Sequence, residues 1–179
     1  MKLSRAEFEQ LALEQLDALY RTARNLAGAG VADDLVQETL VRALRAYKTF
    51  DLKEFGIKPW LLRILYNLFV NRLEQERRAP RSLDEAGLSS IEARPQASPE
   101  ALKYDRDSVD ERLAKAVEGL APEIRAVLLL WAVEDLSYKE IAQVLGIPIG
   151  TVMSRLHRAR QVLGGELRGL AKELRIGRE

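Results

Sequence analysis

Apolar residues recur at helical spacing on both sides of a single interruption, and that interruption constrains the fold more than any other feature. The stretch "APRSLDEAGLSSIEARPQASPEALKYDRD", residues 79–107, holds three of the six prolines and four serines, and it follows no period. Such a segment cannot contribute an apolar face to a packed core. The expected architecture is therefore all-α: two small helical domains, residues 1–80 and 108–179, joined by a flexible acidic linker at 81–107.

In the first half, Ser4 with Glu7 forms a capping box. Phe8, Leu11, Ala12, Leu16, Leu19, Ala23 and Leu26 then predict one helix, stopped by Gly28 and Gly30. A second helix is expected from Asp33 or Asp34, whose carboxylates suit a helix N-terminus, with Val36, Leu40, Leu44 and Tyr47 inward. After the loop "FDLKEFGIKP", Pro59 suits the first turn of a third helix running from Trp60 to about Arg78.

Periodicity resumes at Val109, Leu113, Ala116, Val117 and Leu120. Pro122 opens a helix with Ile124, Val127, Leu128 and Trp131 inward. Ser137 and Glu140 form a second capping box, and Gly146 with Pro148 ends the helix they start. Thr151 to Leu163 is the next helix, with Gly164–Gly165 as its end and a charged tail beyond.

Composition excludes several functions. The chain has no cysteine and one histidine, so disulfides, thiolate metal sites and histidine-rich zinc sites are ruled out, and no cofactor is expected. No phosphate-binding glycine loop occurs, and no enzymatic activity is expected. The N-terminus lacks an apolar signal core and no stretch is apolar enough to span a membrane, so the expected location is cytoplasmic. With 28 basic and 27 acidic residues the net charge is +1, but it is unevenly spread. Residues 51–82 and 124–179 are basic, and they flank an acidic block at 83–123.

The sharpest local signal is "LSYKEIAQVLGIPIGTVMSRLHRARQVL", residues 136–163: helix, short glycine turn, helix. Val152, Leu156, Ala159 and Leu163 form the inward face of the second helix. Thr151, Ser154, Arg155, His157 and Arg158 are left outward, a set that combines hydroxyls with guanidinium forks as base-edge recognition requires. Arg160 and Lys139 suit phosphates. The bland alternative is a solvated helix face. Against it, residues 141–165 carry three arginines and no acid, which forgoes every stabilising i,i+4 pair.

Two further surfaces lie in the first half. Arg63, Asn67 and Asn71 form a polar stripe on an otherwise apolar helix, and Arg72 extends its basic character. That pattern fits a buried helix with one wet edge. It also fits base recognition, with Trp60 and Tyr66 able to stack on unpaired bases. On the preceding helix Asp34, Glu38, Arg42 and Arg45 share a face, with Gln37 beside them.

Taken together, these segments resemble the bacterial extracytoplasmic-function (ECF, group 4) sigma factors. "DDLVQETLVRALRAYKTF" is similar to the family's polymerase-clamp segment, and "KPWLLRILYNLFVNRLEQERR" to its promoter-melting and −10 recognition helix. Residues 136–160 are similar to its −35 recognition unit. The resemblance implies partners: core RNA polymerase, promoter DNA and an anti-sigma factor, with no membrane. It implies polymerase contacts at Asp34, Gln37, Glu38 and Arg42. It implies a −10 site at Phe50, which opens a loop that captures a flipped base, and at Asn67, which lines that pocket; Arg63, Asn71 and Arg72 of the polar stripe are assigned to the same site. It also implies a −35 face at Ser154, His157 and Arg158, with Lys139, Thr151, Arg155 and Arg160 around it. Departures include a loop one residue longer than usual, Asn71 in place of a common aspartate, and Pro148. The alternative function is a stand-alone helix-turn-helix regulator, which would have to dimerise and would leave the 60–72 helix without a role.

Overall fold

The computed structural model describes residues 3–51, 56–78 and 111–173. The chain divides into two compact units, Met1–Ala97 and Ser98–Glu179. The expected linker, 81–107, lies outside the described residues.

The first unit contains α1 (Arg5–Leu13), α2 (Leu16–Ala27), α3 (Ala29–Ala46), a short 3-10 turn at Tyr47–Thr49, and α4 (Ile57–Arg78). The Ser4–Glu7 capping box forms as expected: Ser4 N–H donates to Glu7 Oε2 at 2.8 Å, and Glu7 N–H donates to Ser4 Oγ at 3.3 Å. The Ser4 hydroxyl also donates to Glu7 Oε2 at 2.7 Å, and this bond, with that from Ser4 N–H, holds the Glu7 carboxyl below the usual carboxylate range.

The single long first helix expected from the periodicity is two helices. Gln15 N–H bonds back to the Ala12 carbonyl at 3.1 Å, which tightens the last turn of α1 and redirects the chain. The bend lets α1 lie against α4 while α2 packs against α3 and α4. Phe8, Leu19, Leu26, Leu61, Leu62 and Leu65 fill the resulting core.

The start of α3 also differs from expectation. Gly28 alone, at φ 83°, ends α2 and begins α3, and its carbonyl accepts from Ala32 N–H at 3.2 Å. Gly30 lies inside the helix. Asp33 therefore sits in the second turn rather than at the cap, and there it accepts a hydrogen bond from the Tyr20 hydroxyl. Leu40, Leu44 and Tyr47 are only half-buried; Ala32, Leu35, Val36, Thr39 and Ala43 are the buried residues of α3.

The second unit contains α5 (Glu111–Glu118), α6 (Pro122–Ala132), α7 (Tyr138–Leu145) and α8 (Ile149–Glu173). Pro122 stands in the first turn of α6, and the Ser137–Glu140 capping box opens α7. Gly146 is left-handed at φ 65°, ψ 33°, which ends α7 and turns the chain into α8. Leu120, Leu128 and Ala159 form a core with Val117, Ile124 and Leu163 packed against it. Arg125 is buried, which pushes its guanidinium below the usual range, and its Nη1 donates to the Glu118 carbonyl at 3.3 Å.

Two expectations fail in this unit. Trp131 is 37% exposed rather than inward. Gly164–Gly165 does not end α8, which continues to Glu173. A helix-interior glycine costs about 1 kcal/mol relative to alanine, a penalty that lowers helix stability without breaking the hydrogen-bond ladder as proline would.

Candidate nucleic-acid interface

The turn at Gly146 sets α8 against α6 and α7 with Val152, Leu156 and Ala159 fully buried. Each large side chain in such a position contributes roughly 1.5–3 kcal/mol of burial, so the rotation of α8 about its axis is fixed. Its outer face follows from that rotation. Ser154, His157, Arg158 and Arg160 are exposed, Thr151 and Arg155 are half-buried at the edges, and Lys139 is exposed on α7. The Ser154 hydroxyl donates to the Thr151 carbonyl at 3.0 Å and keeps its acceptor capacity for an outside group. Arg160 differs from the rest. Its guanidinium lies 4.8 Å from the centroid of the Trp131 ring, and its Nη2 donates to the Tyr138 hydroxyl at 3.4 Å. Three exposed apolar residues on α8, Ile149, Met153 and Val162, escaped the sequence reading, although all fall off the 152–156–159 period.

On α4, Arg63, Asn67 and Asn71 are all exposed, as the stripe required. Asn71 and the half-buried Arg72 line an open groove of about 760 Å³ between α3 and α4. Asp34, Gln37, Glu38 and Arg42 line the same groove, with Leu35, Val41, Leu68, Gln75 and Glu76. Arg63 and Asn67 are not among its lining residues. Two ion pairs, Arg42–Glu38 at 2.7 Å and Arg72–Glu76 at 3.4 Å, stand on the two helices that flank it.

Phe50 is buried at the entrance of its loop. It is 6% exposed, with its ring centroid 5.1 Å from that of Trp60 and 5.8 Å from that of Phe8. Phe8 also meets Trp60 edge-on at 5.7 Å, so one ring from α1 contacts both flanks of the loop. Phe50 therefore anchors the loop entrance from the core, because burial of a phenyl ring against two aromatics outweighs its exposure. Loop residues 52–55 lie outside the described residues. Trp60 and Tyr66 are both half-buried.

Among the described residues no group of three or more metal-ligating side chains occurs, and no helix is long and apolar enough to cross a membrane.

Comparison with known proteins agrees with this layout. Residues 11–79 match sigma-70 region 2 and residues 110–163 match sigma-70 region 4. The ECF RNA polymerase sigma factor SigE of Mycolicibacterium smegmatis is 37% identical over 158 residues, 87% of this chain. The chain spans 60% of that relative's length. The ECF RNA polymerase sigma-E factor of Escherichia coli K12 is 32% identical over 152 residues, 80% of this chain and 78% of the relative. Among solved structures, the sigma factor RpoE of Bartonella quintana, in complex with the anti-sigma factor NepR, superposes with a TM-score of 0.72 at 30% identity. That match covers 90% of this chain and 97% of RpoE. CnrH, in complex with the cytosolic domain of CnrY, gives a TM-score of 0.61 at 26% identity, over 93% and 90% of the two chains. With both sigma-70 regions in order and relatives matched over most of its length, the chain belongs to the extracytoplasmic-function RNA polymerase sigma factors.

Proposed function

We propose that this chain binds core RNA polymerase and directs it to promoters, with a separate surface for each task. Residues 108–179 act on the −35 element through Ser154, His157 and Arg158, while Lys139 and Arg160 face phosphates and Thr151 and Arg155 border the site. Residues 1–80 act on core polymerase and the −10 element, and 81–107 connect the two. The α3/α4 groove takes a polymerase element of basic and apolar character, because Asp34 and Glu38 stand beside Leu35, Val41 and Leu68. Asn71 and Arg72 belong with that groove, whereas Arg63 and Asn67 are the α4 side chains left for the −10 element. The chain contributes recognition rather than catalysis and works in the cytoplasm. A controlling anti-sigma factor is a further partner, supported by the NepR complex of the similar RpoE.

The observation that carries this reading is the outer face of α8: exposed hydrogen-bonding and cationic groups with no acid from residue 141 to 165, over a fully buried inner face. Gel-shift and run-off transcription on promoter duplexes, with and without core polymerase, test it. Tight binding and start-site selection are expected only with polymerase present. Tight sequence-specific binding by the chain alone, as a dimer, would replace this reading with a stand-alone regulator.

A further inference from the structure

Ile149 is 50% exposed and Met153 is 55% exposed, one helical turn apart at the N-terminal end of α8. His157 continues their row at the next turn, and Ser154 and Arg158 run parallel to it on the same outer face. Isolated exposed apolar residues are ordinary. Two in register, on the half of a recognition helix that enters the major groove, are placed where a duplex would cover them.

Gly150 opens the row of Ser154 and Arg158, in the first turn and beside Ile149. A Cβ built there meets nothing within 4 Å, so packing inside the protein does not require a glycine. The missing side chain leaves the backbone open to a surface that approaches from outside. That surface has to be anionic, given the three arginines and absence of acid on this stretch, and it has to offer small apolar features between polar ones. The major groove meets both requirements, because thymine presents a C5-methyl group beside hydrogen-bonding base edges.

We propose that Met153, supported by Ile149, reads thymine methyl groups in the −35 element, and that Gly150 lets the groove floor come close enough for it to do so. The proposal rests on the assignment of α8 to the −35 element and adds a specificity determinant to it.

The test uses holoenzyme assembled from core polymerase and the full chain. Duplexes randomised at the −35 positions are selected, and each selected thymine is then replaced by deoxyuridine, which lacks only the methyl group. Wild-type holoenzyme should lose roughly fourfold in affinity at one or two positions, the worth of one buried methyl group. Met153→Ala should lose nothing at those positions on the same replacement, and Met153→Leu should keep the sensitivity. Equal binding of thymine and deoxyuridine duplexes by the wild type at every position overturns methyl recognition and leaves the α8 interface standing. Selection without any −35 preference by the wild type overturns the interface and this proposal together. Weakened holoenzyme assembly by Met153→Ala, with thymine sensitivity unchanged, overturns it in favour of a polymerase-facing strip.

Discussion

The Arg160 guanidinium lies over the indole of Trp131, 4.8 Å from its centroid, and reaches the Tyr138 hydroxyl at 3.4 Å. One side chain of α8 thus touches the end of α6 and the start of α7. A cation held this way loses fewer rotamers on meeting a phosphate, because its position is already restricted. An exposed cation–π pair contributes about 0.5–1 kcal/mol.

Trp131→Ala should therefore destabilise the second unit by about 1 kcal/mol and weaken promoter binding to a similar degree for every −35 sequence. The Arg160 charge remains, so the dependence of affinity on salt should be unchanged. Arg160→Ala should also weaken binding uniformly, but it should reduce the salt slope by about 1. Affinities of the two holoenzymes across a salt series separate these outcomes. A changed preference among −35 sequences in Arg160→Ala would move that residue from phosphate contact to base recognition.

Gly150, Gly164 and Gly165 all lie in α8 with open space where a Cβ would stand. Gly164→Ala with Gly165→Ala should stabilise the chain by about 2 kcal/mol and leave promoter affinity unchanged. Gly150→Ala should also stabilise it, by about 0.4–1 kcal/mol, yet reduce promoter affinity because the methyl group occupies the approach path. Thermal melts paired with promoter binding check both. Unreduced promoter affinity in Gly150→Ala would show that nothing approaches that turn.

Asp34 and Glu38 stand along the α3 side of the α3/α4 groove, with Glu38 paired to Arg42 at 2.7 Å. Replacing both acids by lysine reverses the charge a basic partner would meet. Association with core polymerase should slow by about tenfold at low salt, and less as salt rises. Stopped-flow assembly measurements give the rates, and the isolated chain should melt like the wild type because both acids are exposed. Wild-type association at every salt concentration would remove this face from the polymerase contact.

The Tyr20 hydroxyl donates to Asp33, joining α2 to α3, and this bond raises the phenol above its ordinary value near 10. A folded-state value above the unfolded one means that the stabilisation is complete below about pH 10 and is lost as pH rises through the folded value. Tyr20→Phe should thus lower the melting temperature at neutral pH, and the gap from wild type should close in alkaline buffer. Melting curves of both proteins between neutral pH and pH 11 report it. A gap that stays constant would assign the effect to packing rather than to the proton.

Short-range features were legible in the sequence because their causes lie within a few residues. The Ser4–Glu7 and Ser137–Glu140 boxes, Pro122 in the first turn of α6 and the left-handed Gly146 each depend on a contact or torsion local to the turn. The same holds for the outer face of α8, since the 152–156–159 period alone decides what is left outward. Tertiary neighbours decided the remainder. No breaker residue marks the bend at Gln15; it exists because α1 and α2 pack on different partners. Trp131 has inward spacing, yet Arg160 from a helix some thirty residues away in sequence holds its ring at the surface. Phe50 looks like a loop residue until Phe8 and Trp60 close over it. The groove that gathers Asp34, Gln37, Glu38 and Arg42 with Asn71 and Arg72 joins two helices whose sequence periods say nothing about their pairing. Periodicity determines which face of a helix is buried, and only the packed neighbours determine what that face meets and which exposed side chains are brought together.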